Sequence, residues 1–288
     1  MGKSCLNLLL NQRKMKKYFF IVAACSLLLC CKHGQDPEIQ EDLYEMPCSC
    51  GIKLPQDETA CQRELPWDYP VKPGMEEWDQ MKIRQERLDA CQIPDDVLSS
   101  LSTEDLTDIC MENPLLITFV FRYSLYDRGL DTLFKNLNGF RELFKREDAL
   151  RGLLNWYGCA MQNLPFLYSD ASDSEKGGFT LKIMAMEFLF TRYHSQNGNT
   201  DDYREILRCL ICGYENKLLH PVYITRYDLG INLLSRAHQI VQIDEQNHEK
   251  IPQKVFSHDF YSGNYDEPTR ILIDELSCQI VNSSIISR

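Results

Sequence analysis

With 42 acidic against 31 basic residues in a chain of 288, the net charge is −11. Such a surface repels phosphate backbones, whose binding rests on clustered Lys and Arg, so nucleic acid is excluded as a partner class. A hydrophobic fraction of 44% is enough for a real core, in one large domain or two small ones.

The segment Met15 to Lys32, MKKYFFIVAACSLLLCCK, fixes where the rest of the chain is expected to reside. Two lysines precede fourteen mostly apolar residues, Tyr18 to Cys31. A membrane-spanning helix needs about 20 apolar residues, whereas a secretory apolar region runs to about 7–15. Residues 15–30 therefore read as a signal peptide. The closing cysteines fit the bacterial lipoprotein pattern, in which apolar residues and a small residue precede the cysteine that takes the lipid. Cys31 is the expected lipidation site. Cys25 is the rival: Ala23-Ala24 suits the pattern better, but only seven apolar residues then precede the cut. Because Met15-Lys16-Lys17 is itself a good signal start, residues 1–14 read as an extension ahead of the true initiation site.

The chain from Cys31 holds 26 basic and 42 acidic residues, a net −16. Export brings oxidising conditions, in which disulfides are allowed. Of the cysteines after Cys31, most lie in apolar helical patterns, where a thiol behaves as a small buried hydrophobe, so few bridges are expected. Residues 31–73 read as an acidic, proline-bearing tether without period. Within it, Cys48, Cys50 and Cys61 lack the paired spacing of a zinc site and favour a local disulfide. No metal or other cofactor is expected.

From residue 74 onward the pattern is helical throughout, and strand alternation is nearly absent. Trp78, Met81, Leu88 and Cys91 share a face, and Ile93-Pro94 stops it. Asp95 and Asp96 suit the first turn of the next helix. Ser102 or Thr103 caps another, with Leu106, Ile109 and Cys110 inward. Leu115 to Tyr123 is nearly all apolar. Leu130, Leu133, Phe134 and Leu137 form a short helix that Asn138-Gly139 is expected to end, with glycine in the left-handed position. Leu150, Leu153, Leu154 and Tyr157 follow. Residues 158–178 read as irregular, ending in the polar loop SDASDSEKGG, and are the best internal boundary. Phe179 to Tyr193 is a strongly apolar helix, expected at the centre of the second half. Tyr203, Ile206, Leu207, Leu210, Ile211 and Tyr214 make the next stripe; Ile231, Leu234, His238 and Val241 make another. Pro268 opens the last helix. The fold class is thus all-α, an array or bundle of about ten short-to-medium helices with the texture of an α-solenoid.

No nucleophile elbow, phosphate loop, dinucleotide fingerprint or HExxH pair is present, so no catalytic residue is assigned. Cys209-Leu210-Ile211-Cys212 is a CxxC within a helix and without a preceding strand, which suits packing better than redox work. His238 sits on an apolar stripe, as a hydrogen-bonded core histidine does. Glu187 lies inside the most apolar helix and requires a cationic partner, for which Arg192 or Arg236 are the candidates. Trp67 and Tyr69, in WDYPVKPG, either dock the tether onto the domain or bind an extended partner.

The segments WDYPVKPG…EEW (67–78), ACQIP (90–94), LSSLSTEDLTD (98–108) and FKNLNGFRELFKRED (134–148) resemble a group of uncharacterised Bacteroides-type lipoproteins. SRAHQIVQID (235–244), YSG (261–263) and IDELS (273–277) extend the likeness more weakly. The resemblance implies a lipid anchor in the envelope of a Gram-negative bacterium, and no activity or functional residue comes with it. The expectation is a binding or interaction module attached to the membrane through its lipid, with a protein or glycan partner. The alternative is a hydrolase-like envelope enzyme with a site near Glu187 and His238.

Overall fold

The computed structural model describes residues 64–122, 126–170, 172–194, 199–219, 224–257 and 260–286. The signal peptide, the extension over 1–14, both lipidation candidates (Cys31 and Cys25) and Cys48, Cys50 and Cys61 lie outside the described residues. Those described are helical, with no strand among them. Short helices come first: α1 (Glu76–Gln80), α2 (Arg84–Ala90), α3 (Asp95–Ser100), α4 (Thr103–Met111), α5 (Leu116–Arg122), α6 (Tyr126–Asn136) and α7 (Asn138–Leu143). Long ones follow: α8 (Ala149–Asp170), α9 (Asp173–Phe190), α10 (Thr200–Leu219) and α11 (Arg226–Ile243). The chain closes with α12 (Asn247–Lys250), a 3-10 turn (Gln253–Phe256), a π turn (Phe260–Asn264) and α13 (Glu267–Ile286).

The helices pack in two rows. In one, α4 lies on α8, α8 on α10 and α10 on α13; in the other, α5 lies on α9 and α9 on α11. The consecutive pairs α8–α9 and α10–α11 tie the rows together. Many side-chain hydrogen bonds between helices fall within a narrow band of sequence separations, 43 to 49 residues. Tyr69–Asn113, Gln92–Asn136, Ile93–Asn138, Leu101–Arg146, Thr103–Asp148 and Glu187–Asn232 are each 44 or 45 residues apart. That spacing falls in the range of about 40–47 residues per unit seen in stacked helical repeats.

Local chemistry sets the helix starts. Ser102 accepts from the Asp105 N–H at the head of α4. Ser172 with Glu175, and Thr225 with Asp228, form reciprocal capping boxes at α9 and α11. Every residue from Ile183 to Phe190 in α9 is buried, so this helix is packed on all sides, as its apolar run predicts.

Three expectations change. Residues 158–178 are not irregular. Ala160, Met161 and Leu164 are buried and prolong the inward face of Leu153 and Tyr157, so α8 continues to Asp170 and α9 starts just after Ser172. One core cluster takes residues from both sides of this point, which removes it as a sub-boundary. The tether expected over residues 31–73 ends earlier than residue 73, because Leu65, Trp67 and Val71 pack on the core and Tyr69 is buried in it. Gly139 does not end a helix in the left-handed region; it lies inside α7. A Cβ there would come within 2.8 Å of Ile93 Cδ1 and 3.0 Å of Cys110 Sγ, so close packing is its role. Positive φ occurs instead at Gly74 and Gly263, at 93° and 100°.

Beside Gly139, Asn138 makes a clasp to the α2–α3 connection. Its Oδ1 accepts from the Ile93 N–H at 3.0 Å and its Nδ2 donates to the Ile93 carbonyl at 2.6 Å. Gln92 answers, its Oε1 accepting from the Asn138 N–H and its Nε2 donating to the Asn136 carbonyl. Replacing Asn138 by Ala strands both Ile93 groups in a half-buried place. The expected loss is about 2 kcal/mol, read as a lower urea midpoint with an unchanged slope.

Candidate functional site

Two polar constellations stand out. The first is buried where α8, α9, α10 and α11 meet. Glu187 of α9 and Lys217 of α10 form an ion pair with side chains 0% exposed; the ammonium donates to both carboxylate oxygens at 2.8 and 2.7 Å. Tyr157 of α8 donates its hydroxyl to Glu187 Oε1 at 2.6 Å, and Asn232 of α11 donates to the same oxygen at 2.8 Å. Lys217 also reaches the Asp228 carbonyl at 3.4 Å, and Ser235 donates to the Glu187 carbonyl. Burial, then the Glu187 charge, pushes the Tyr157 phenol well above its ordinary range, so it stays a proton donor. Gly213 makes the arrangement sterically feasible: a Cβ there would lie 1.9 Å from the Tyr157 hydroxyl. All four helices thus converge on one carboxylate.

The partner of Glu187 corrects the expectation. Arg192 pairs with Asp131 at 3.2 Å and Arg236 with Asp274 at 2.7 Å, while Lys217 holds Glu187. His238 is not brought to the carboxylate, whose oxygens are taken by Tyr157, Lys217 and Asn232. It packs edge-on against Phe256 at 5.1 Å, and Phe256 stacks on His248 at 6.1 Å. Burial, with Arg192 adding to it, lowers the His238 pKa to about 4. The CxxC is not a dithiol pair: Cys212 is disulfide-bonded, as is Cys159, while Cys209 is a buried thiol outside any disulfide. Cys91 and Cys110 are free and buried, and burial pushes the Cys91 thiol up to about 12. Burial pushes the Cys110 thiol up as well, so neither Cys91 nor Cys110 has the lowered pKa of a nucleophile.

The second constellation opens to solvent. A pocket of 670 Å³ is lined by Trp78, Ile83, Leu115 and Phe119, by Pro73 and Pro114, and by the cations Lys82, Arg84 and Arg87. The Arg84 guanidinium lies 5.2 Å from the Phe119 ring centre and that of Arg87 5.4 Å from Trp78. Lys82 donates to the Asp79 carbonyl at 2.7 Å. Trp67 and Tyr69 are not lining residues. Tyr69 is buried, and its hydroxyl accepts from Asn113 Nδ2 at 2.9 Å, while Trp67 lies edge-on to it at 4.7 Å. Both serve the internal contact, and Tyr69 in particular presents no face to a partner. Among the described residues no group of His, Cys, Asp and Glu is arranged to hold a metal ion.

No protein-family model, curated protein or solved structure matches the chain.

Sequence reasoning missed Lys217, Tyr157, Asn232 and the pocket cations. Lys217 was detectable, because it continues the stripe of Leu210 and Tyr214 at helical spacing, where a lysine is out of place unless paired.

Removing one member of the buried pair leaves the other charge alone in the core. Lys217→Met is expected to cost about 3–5 kcal/mol. The double variant Lys217→Met, Glu187→Leu should recover part of that loss in urea unfolding. His238 is neutral in the folded chain down to about pH 4, whereas an unfolded histidine protonates near 6.5. Acid therefore favours the unfolded chain in that window, and stability should fall by about 2 kcal/mol between pH 6.5 and 4 on this account. His238→Gln should flatten that part of the pH–stability curve.

Proposed function

We propose that the chain is a lipid-anchored binding module of a Gram-negative cell envelope. The observation that carries the binding role is the contrast between the two constellations. The charged groups of the interior are closed on one another, with Glu187 and Lys217 fully buried. The cations that face solvent lie over an apolar floor in an open pocket. The first arrangement fixes a core and offers a substrate no approach; the second is what a recognition site needs.

The envelope location rests on the signal-like segment and its cysteines, and the disulfide-bonded Cys159 and Cys212 favour an oxidising compartment. Among the described residues no helix is long and apolar enough to cross a membrane, so attachment in this reading falls to the lipid. The reading is favoured over the hydrolase-like alternative because the Glu187 carboxylate is occupied by Tyr157, Lys217 and Asn232.

Labelling the native host with a fatty acid analogue tests the reading. Wild type should take the label, Cys31→Ala should lose it, and protease treatment of intact cells should report which membrane face carries the domain. Persisting label in Cys31→Ala that vanishes in Cys25→Ala moves the anchor to Cys25. Wild type without label removes the lipid anchor.

A further inference from the structure

We infer that the pocket beside α1, α2 and α5 binds a small anion that carries a carboxylate or phosphate on an apolar ring. This rests on the binding-module reading but not on the lipid anchor. In a chain with 42 acidic residues, cations are expected to find carboxylates. Several do: Arg146 meets Glu142, Arg151 meets Glu104, Lys182 meets Glu112 and Arg270 meets Glu267, while Arg141 and Arg226 meet backbone carbonyls. Lys82, Arg84 and Arg87 line one pocket and, among the described residues, form no ion pair.

The two arginines lie over aromatic rings instead. A guanidinium over a ring face keeps the N–H groups of its edge directed outward, in the fork that matches a planar oxyanion. Arg87 Nε is shielded from water and has no hydrogen-bond partner among the described residues, which leaves one donor unanswered.

The rest of the wall fixes the other half of the ligand. Pro73, Pro114 and Ile83 present apolar surface above the buried Trp78, Leu115 and Phe119, and a bare inorganic anion would leave that surface wet. The volume of 670 Å³ lies in the range of about 300–1,000 Å³ that holds one small organic molecule. Ile83, 58% exposed at the rim, extends the apolar surface toward solvent. One ligand meets both demands when its charge sits on a ring: the ring on the floor, the oxyanion against the arginines.

Calorimetric titration of the full chain with 2-naphthoate and 1-naphthyl phosphate tests this. The neutral 2-naphthamide and inorganic phosphate are the controls. One-to-one saturable binding is expected for at least one naphthyl anion, about tenfold or more tighter than for either control. If only the phosphate binds, the ligand class is a phosphoester; if only the carboxylate binds, a carboxylic acid. Arg87→Gln and Arg84→Gln should each weaken that binding about tenfold, and added salt should weaken it in wild type. Lys254→Gln, which removes a cation paired with Asp266 away from the pocket, should leave it unchanged. The inference is overturned if neither anion binds, if either control binds as tightly, or if both arginine variants bind as wild type while remaining folded by circular dichroism. Cys31→Ala should bind the probes as wild type does, so a failed lipid-labelling result and a failed binding result are separate outcomes.

Discussion

The buried Glu187–Lys217 pair is the constraint on which the second half of the fold depends. A carboxylate and an ammonium taken fully out of water each cost several kcal/mol, and their attraction offsets this only when the remaining lone pairs and protons are also satisfied. Here four helices supply that satisfaction: α8 brings Tyr157, α10 brings Lys217, α11 brings Asn232 and Ser235, and α9 brings the carboxylate itself. A one-position slip of any of them would leave a charge or a donor unpaired in the core. The network therefore discriminates among packings that plain apolar contact would rank nearly equal. Gly213 shows how tight the fit is, since the tyrosine hydroxyl occupies the space where any other residue would place its Cβ.

Among its described residues, the first half solves the same problem without a fully buried ion pair. Its helices are too short to bury much area each, so register comes from side chains that bond to backbone across one layer. Asn138 and Gln92 clasp one junction. Arg146 gathers the Leu101 and Leu98 carbonyls, and Thr103 donates to Asp148, at the next. The recurring separation of 43 to 48 residues has a simple cause: each junction bonds to the corresponding junction of the following layer. The two halves differ in chemistry but share this step, since Asn232 meets Glu187 at 45.

That step marks the limit of what the sequence disclosed. The all-helical class, the start of α4 at Ser102, the central place of α9 and the stripe of α10 follow from apolar period and capping residues, which are local signals. The layer spacing is not local. The units that repeat differ in length and composition, so self-similarity is absent from the string and present only in the contacts. The helix over 158–170 was lost for a related reason: Pro165 and the polar SDASDSEKGG stretch beside it dominate a short window. Glu187 was legible as a residue in need of a cation, but choosing its partner required the crossing of α9 and α10. The pocket was less legible still, because Lys82, Arg84 and Arg87 look like an ordinary solvated face until Phe119, from α5, is laid beside them.

Charge distribution then separates the two constellations by what each can do. Between Glu187 and Lys217 the charges cancel within bonding distance, and little field extends beyond them. At the pocket the cations stand against the sign of the whole chain. The surrounding acidic surface repels anions at long range, an effect that salt screens over about 10 Å at 0.1 M. An anion that reaches the pocket then meets local positive charge over apolar walls, where attraction is less weakened by water. Such a site rejects bulk polyanions, which must cross the acidic field along their whole length, while admitting a single small anion whose apolar body is rewarded on arrival. In the proposed reading, the acidic net charge that disfavours polyanions and the cations of the pocket act together toward one selectivity.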